Sequence, residues 1–196
     1  ARVVQQGWLG TGRQKQVAVE QATHEWVLCL DTDERLSPEL RKSIEAALAA
    51  PAQHAYEFAR RTRFLGRYLR HGEGYPDLCL RLFQKNHARW SDDVVHEKVI
   101  TLGTVGRLDG DLLREAGESL EDYIAKQNRR TTLSAQELAR QGVAVSRSQL
   151  VLSPLFRFVK FYFFRSGFLD GVPGLVHIGV GCFSSFSKYA KMLEIS

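Results

Sequence analysis

The apolar positions of the chain form runs whose lengths predict alternating helices and strands. Residues 26–30 are a continuous apolar run of strand length, typical of a strand buried on both faces in a parallel sheet. Residues 56–64 and 78–84 also predict strands, the second because its leucines alternate with other residues. Helices are predicted at residues 13–22, 38–51 and 119–140. This order of elements predicts an α/β fold.

Two of the predicted helices begin with recognisable capping residues. Ser37 is a suitable N-cap, Pro38 fits the first helical position, and Glu39 suits the positive end of the helix dipole. Ser119 and Asp122 form a capping box at the start of the longest helix. The buried face of the helix after Ser37 is predicted to contain Leu40, Ile44, Ala47 and Leu48.

The composition is that of an ordinary globular chain of one domain or slightly more. The 196 residues are 44% hydrophobic and 25% charged, which excludes a wholly disordered chain, a collagen-like chain and a polytopic membrane protein. The three cysteines, Cys29, Cys79 and Cys182, are widely spaced and form no CxxC pair. Neither a zinc ribbon nor a disulfide framework is therefore expected, and a reducing compartment is the simplest interpretation.

The net charge of +5 comes mainly from the C-terminal region. Residues 146–196 contain six Lys and Arg against Asp170 and Glu194, and residues 156–165 interleave the cations with aromatic side chains. This pattern favours an anionic membrane surface over a nucleic acid. Charges interrupt residues 150–168, and a proline, a histidine and four glycines interrupt residues 171–187, so neither stretch predicts a good membrane span. Interfacial, re-entrant or protein-packed helices are expected, with packing into the main core as the alternative.

An acidic turn follows the first apolar strand. Asp31 and Asp33 lie one residue apart beyond its carboxyl end, where ligands bind in open α/β sheets. Such carboxylates are suited to Mg²⁺ or Mn²⁺, which share coordination with substrate phosphates. An EF-hand is disfavoured by Leu36 at the glycine position, and a phospho-aspartyl phosphatase by Arg35. A purely structural turn before the next helix stays open as an alternative.

Short motifs along nearly the whole chain point to one family. They are GTGRQK at 10–15, WVLCLDTDE at 26–34, LSPEL at 36–40, FLGR at 64–67, GYPD at 74–77, LRLF at 80–83, RW at 89–90 and VHE at 95–97. Together they resemble the inverting family-2 glycosyltransferases of the GT-A fold. The tail motifs GFLDG at 167–171 and FSKYAK at 186–191 also resemble the subgroup that builds lipopolysaccharide core, a glucosyltransferase-like set.

The resemblance implies roles for the residues that bind the donor. The Asp-X-Asp turn of the family binds a divalent metal and the sugar nucleotide, which makes Asp33 the expected direct metal ligand and Asp31 a contact to ribose or metal. Gln14 and Lys15 are expected to face the nucleotide. His96 is a further candidate metal ligand, although packing or orienting its neighbour are alternatives. The implied cofactors are Mg²⁺ or Mn²⁺ and a nucleotide-sugar donor such as UDP-glucose.

An inverting transfer also needs a general base and an acceptor pocket. By its position after the LRLF strand, Glu97 is the expected base and Asp77 its rival. The expected acceptor pocket contains His71, Tyr75 and Arg81, because aromatic rings stack on sugars and arginine pairs with phosphates or carboxylates.

These expectations combine into one hypothesis. Residues 1–115 form a partial GT-A domain, lacking the N-terminal strands that the family places before residue 1, and residues 116–196 form a helical membrane-associating region. The enzyme transfers a hexose to a lipid-linked glycan at the cytoplasmic face of the bacterial inner membrane, as a peripheral protein with no nucleic-acid partner and an undetermined oligomeric state. The alternatives are a non-catalytic membrane module and a transferase of another sugar in surface-polysaccharide synthesis.

Overall fold

The computed structural model describes residues 2–93, 97–115, 117 and 119–195. The chain divides into two units, and each contains two separate stretches of sequence. Unit 1 comprises Ala1–Arg60 and Leu78–Arg114, whereas unit 2 comprises Arg61–Asp77 and Glu115–Ser196. The division into residues 1–115 and 116–196 stays a prediction.

Eight strands and five α-helices make up the described residues. The strands are β1 Trp26–Leu28, β2 Glu34–Leu36, β3 Ala55–Phe64, β4 Arg67–Tyr68, β5 Asp77–Gln84, β6 Ala88–Trp90, β7 Val99–Thr101 and β8 Val105–Glu115. The helices are α1 Thr11–Glu20, α2 Pro38–Ala49, α3 Leu120–Arg140, α4 Gln149–Phe158 and α5 Gly171–Ile195. A π-helical segment, Val159–Phe164, continues α4, and a 3₁₀ turn, Gly167–Asp170, precedes α5. The mixed α/β composition agrees with the fold class expected from the sequence.

The main sheet of unit 1 has the strand order β1-β5-β3-β8-β2. Its first pair, β1 with β5, is antiparallel, with Val27 opposite Phe83. The parallel arrangement expected from the apolar run is wrong for this pair. An apolar run reports that a strand is covered on both faces, and an antiparallel strand can be covered in the same way.

Apolar clusters cover both faces of this sheet. Successive strand residues point to opposite faces, so Leu82 and Phe83 of β5 enter different clusters. Leu82 packs in the cluster that includes Leu40 and Ile44 of α2, and Phe83 packs in the cluster that includes Val19 of α1. The two helices therefore lie on opposite faces of the sheet. Full burial of side chains of this size contributes roughly 1.5–3 kcal/mol each.

The start of α2 confirms the predicted cap. The Ser37 hydroxyl accepts a hydrogen bond from the backbone N–H of Leu40 at 3.1 Å and one from Asp111 N–H at 3.2 Å, which ties the helix to β8. Gly110 allows this close approach, since a Cβ there would lie 2.3 Å from the Leu40 nitrogen. Leu48 is exposed, so its predicted place on the buried face is wrong. Ala47 of the same turn packs against the sheet, and at about 100° per residue Leu48 lies at the edge of the face that Leu40, Ile44 and Ala47 form.

Unit 2 consists of the short strand β4, the loop that follows it, and three helices. Ser119 caps α3 through the backbone N–H of Asp122 at 3.1 Å, as predicted. Helix α5 packs against both α3 and α4. The stretch Gly167–Ile195 is one helical segment long and apolar enough to cross a membrane, judged by length and composition alone. Pro173, which argued against a span, lies in the first turn of α5, where proline is tolerated.

Candidate active site

The acidic turn between β1 and β2 is closed by reciprocal hydrogen bonds. The backbone N–H of Glu34 donates to the Asp31 carbonyl at 3.0 Å, and the Asp31 N–H donates to a carboxylate oxygen of Glu34 at 2.9 Å. The short connection leaves Asp31 and Asp33 with side chains about a third exposed. The turn thus holds its two aspartates in a fixed backbone frame.

Glu34 is the buried anchor of this turn. Its side chain is 0% exposed and lies 3.4 Å from both Arg60 and Arg81. A buried carboxylate needs such partners, because leaving water is costly for an unpaired charge. The burial of Glu34 excludes a solvated surface charge at this position.

Asp31 lies between two cations. Its carboxylate oxygens are 3.2 Å from Lys15 Nζ and 3.2 Å from Arg81 Nη2. Partial burial by itself raises the pKa of the Asp31 carboxyl, but the charges of Arg81 and Lys15 outweigh it and hold that pKa below its ordinary value. Asp31 is therefore a stably ionised carboxylate at neutral pH.

Lys15 brings the expected base close to the acidic turn. Its Nζ lies 3.6 Å from Glu97 Oε1 as well as 3.2 Å from Asp31, so these two carboxylate oxygens are no farther apart than the sum of the two distances. The same ammonium lies 4.7 Å from the centre of the Trp90 ring, and the Arg81 guanidinium lies 5.2 Å from it. Residues predicted separately for nucleotide binding, metal binding and catalysis thus share one cluster in unit 1.

The position of Lys15 depends on the glycine-rich start of α1. Gly12 is buried against β6, and a Cβ there would lie 2.1 Å from the Ser91 carbonyl oxygen. The helix can therefore approach closely only with glycine at this position. Gln14, also expected at the nucleotide, accepts a hydrogen bond from the Leu9 N–H at 3.4 Å, and its nucleotide contact stays a prediction.

Asp31 and Asp33 could hold a divalent cation only together with ligands from substrate phosphates and water. Asp33 is paired with Arg114 at 2.9 Å and Asp31 with Lys15 and Arg81. Within the described ranges, no group of three or more His, Cys, Asp or Glu side chains could hold a metal ion by itself. Mg²⁺ commonly binds one or two carboxylates and takes its other ligands from substrate phosphates and water. Asp31 and Asp33 suit that mode, whereas a site made wholly of protein donors does not fit these residues.

The remaining predicted residues lie elsewhere in the chain. His71 and Tyr75 belong to the loop of unit 2, where the His71 ring is 3.3 Å from Asp170 and the Arg61 guanidinium lies 5.1 Å from the Tyr75 ring. Asp77 begins β5. His96 lies outside the described residues. The roles of these four residues stay predictions.

Sequence reasoning missed two arginines of the site and gave a third a different role. Arg60 of β3 and Arg114 of β8 each pair with a carboxylate of the turn. Arg60 lay in a predicted strand, at residues 56–64, whereas no strand was predicted around Arg114. Arg81 was expected to bind the acceptor, and its 6% exposed side chain lies beneath the turn in ion pairs with Asp31 and Glu34.

A cavity of about 610 Å³ opens beside this cluster. Lys15, Asp31 and Arg81 line its polar part, and β1 and the C-terminal end of α1 line its apolar part. Its volume lies in the range of small-molecule and cofactor sites, roughly 300–1,000 Å³. The arrangement combines a partly open recess with fixed cations and the ionised Asp31 carboxylate, which suits a metal-bound ligand that carries phosphate groups.

Comparison with known proteins identifies relatives over the full chain. No protein-family model matches. An uncharacterized glycosyltransferase of Rickettsia prowazekii is 30% identical over 211 residues, covering 100% of this chain and 71% of that protein. One of Rickettsia typhi is 29% identical over 208 residues with the same coverage. The lipopolysaccharide core biosynthesis glycosyltransferase LpsC of Rhizobium meliloti is 28% identical over 196 residues, covering 98% of this chain and 73% of LpsC.

Proposed function

Because the chain belongs to the glycosyltransferase family of these relatives, we propose that it transfers a hexose from a nucleotide-sugar donor to a lipid-linked glycan. We propose an inverting, metal-dependent transfer, with UDP-glucose as the first donor to test and lipopolysaccharide core as the first acceptor class. The name of LpsC supports this acceptor class. The observation that carries the proposal is the Lys15 ammonium, which joins Asp31 of the acidic turn to Glu97.

The proposed reaction exchanges one glycosidic bond for another. The acceptor hydroxyl oxygen attacks the anomeric carbon, its proton passes to a carboxylate of the enzyme, and the bond from the anomeric carbon to the diphosphate oxygen breaks. Glu97 is the proposed base and Asp77 the alternative. The sugar changes its anomeric configuration because the attack comes from the face opposite the leaving group.

The cations of the cluster would stabilise the diphosphate leaving group. Negative charge builds on the diphosphate as it leaves, and Lys15 is placed to stabilise that charge in the recess beside Asp31. A bound Mg²⁺ or Mn²⁺ held through Asp31 and Asp33 would supply further charge neutralisation. Arg81 and Glu34 hold the turn that presents both aspartates.

The decisive experiment measures nucleotide release by the full-length protein. Donors are UDP-glucose, other UDP-sugars and ADP-heptose, each with Mn²⁺, Mg²⁺ or EDTA and with extracted lipid-linked glycan. We expect release that requires metal and acceptor, and its loss in Asp33→Ala. Asp92→Ala is the matched control, since this aspartate is exposed and pairs with exposed Arg13.

The outcomes separate the alternatives. Release that survives EDTA, or full activity in Asp33→Ala, would remove the metal role of the turn. Release from a donor other than UDP-glucose would identify a different transferase. Failure to release nucleotide with every donor, together with no nucleotide binding by calorimetry, would leave the non-catalytic module.

A further inference from the structure

Helices α4 and α5 of unit 2 form an antiparallel hairpin. Ser153 of α4 hydrogen-bonds Ser185 of α5 at 2.8 Å, and the Arg157 side chain of α4 lies against Gly181 of α5. Going from the first contact to the second, the position advances by four residues in α4 and goes back by four in α5, so the two helices run in opposite directions. The chain reverses at residues 165–170, where Ser166 has a left-handed backbone with φ of 54°. We call residues 163–172 the hairpin tip.

The hairpin exposes an unusually apolar surface. At the tip, Phe164 is 82% exposed and Val172 is 70% exposed. The other exposed apolar residues of the tip are Phe163, Phe168 and Leu169. Of the five large apolar side chains exposed along α5, four share one helix face by their spacing, namely Val172, Leu175, Phe183 and Phe186, and Ile195 at the end of the helix lies off that face. Exposed apolar side chains gathered in this way are typical of a docking surface.

The loop after β4, residues 69–76, is held to the hairpin tip by hydrogen bonds and adds positive charge there. We call it the fastened loop. The fully buried Asp170 carboxylate accepts hydrogen bonds from the backbone N–H groups of Arg70 and His71 at 2.9 and 2.8 Å. Arg67 donates to the Leu169 carbonyl at 3.2 Å, and Arg165 donates to the Tyr75 carbonyl at 3.1 Å. Asp170 is satisfied inside the structure and presents no negative charge outside.

Three exposed arginines therefore border the exposed aromatic side chains of the tip. They are Arg67, Arg70 and Arg165. Lys160 also lies on the exposed side of the hairpin, between Phe156 and Phe164 in sequence. Cations beside an apolar surface complement the phosphates and the acyl chains of an anionic lipid surface, because long side chains can reach the headgroups while aromatic rings enter the acyl region.

The packing of α5 favours insertion into one leaflet over crossing the bilayer. Helix α5 packs against α3, where the Tyr123 ring stacks on His177 and Lys191 donates hydrogen bonds to Thr131 and Thr132 at 2.8 Å. Helix α3 carries exposed charges on several sides, including Glu121, Arg129 and Glu137. A spanning α5 would carry these charges into hydrocarbon, which is expensive.

We propose that the hairpin tip and the exposed face of α5 dock into one leaflet of an anionic phospholipid membrane. Arg67, Arg70 and Arg165 bind the headgroup phosphates. The proposal goes beyond the sugar transfer above and does not depend on it, since lipid binding is measured without donor or acceptor.

Flotation with vesicles tests the proposal directly. The full-length protein is mixed with vesicles of equal parts phosphatidylcholine and phosphatidylglycerol, or of phosphatidylcholine alone. We expect binding to the anionic vesicles, weakened about tenfold in Phe164→Ser through lost apolar insertion. Arg70→Gln should weaken binding about fivefold on anionic vesicles only. Leu102→Ser, which removes a fully exposed leucine of unit 1, is the matched control.

Each outcome bears on the proposal. For protein added to preformed vesicles, an α5 that stays open to protease supports docking in one leaflet, and a protease-protected fragment containing the whole of α5 overturns it in favour of a spanning helix. Equal binding of Phe164→Ser and the unaltered protein overturns the role of the tip. Equal affinity for neutral and anionic vesicles overturns the role of the arginines. Circular dichroism of each variant checks that its helices are intact.

Discussion

Removing the Arg81 guanidinium should destabilise the fold more than any exposed ion pair does. The Arg81 side chain is 6% exposed and lies 3.4 Å from Glu34, whose side chain is wholly buried. Arg81→Met keeps the length of the side chain but leaves the Glu34 charge short of a partner. Breaking a buried pair in this way costs about 3–5 kcal/mol. Because Arg60 still lies 3.4 Å from Glu34, we expect the lower end, about 3 kcal/mol.

Urea unfolding followed by circular dichroism measures this cost. The matched control is Arg41→Met, which removes a 73% exposed arginine paired with Glu45 one turn along α2. Such pairs contribute about 0.3–0.5 kcal/mol. The double variant Arg81→Met with Glu34→Gln should recover part of the loss. Glu34→Gln removes the buried negative charge that Arg81→Met leaves with one partner fewer. If Arg81→Met costs no more than Arg41→Met, the ion-pair cluster does not hold the acidic turn.

Three further predictions test other parts of the site. Glu97→Gln should abolish transfer while leaving nucleotide binding by calorimetry unchanged, whereas loss of transfer only in Asp77→Asn would identify the other base. Gly12→Ala should cost about 1–3 kcal/mol in urea unfolding, since its Cβ would lie 2.1 Å from a backbone oxygen, while Gly7→Ala has open space and should cost little. Because the folded pKa of Asp31 is lowered, its ionisation stabilises the fold above the unfolded pKa, and this contribution disappears as pH falls through the folded pKa. Asp31→Asn should therefore reduce the loss of stability on acidification, and an unchanged acid limb would contradict the lowered pKa.

Local signals in the sequence were enough to place the helices and the acidic turn. Ser37 and Ser119 cap the helices predicted to follow them, because capping depends on residues within one turn of the cap. Lys15 and Asp31 were each expected at the nucleotide, and the structure places their charged groups 3.2 Å apart.

Interactions between distant positions could not be predicted in the same way. Arg60 lies 26 residues from Glu34, and Arg114 lies 81 residues from Asp33. An arginine in a strand indicates at most which face it shares, not which carboxylate it meets. The antiparallel pairing of β1 was missed for a related reason, since apolar runs report burial and carry no information on strand direction.

The fastened loop of unit 2 also sets an order of events during synthesis. The backbone of Arg70 binds a carboxylate 100 residues later in the chain, and Glu73 pairs with an arginine 84 residues later. At about 5–20 residues per second, the ribosome needs roughly 5–20 s to make 100 residues. The loop therefore lacks these partners for that time, although β4 before it and β5 after it have already been made. Until Asp170 has been made, the basic loop lacks its anchor, so the loop and the hairpin tip reach their final arrangement only after that point of synthesis.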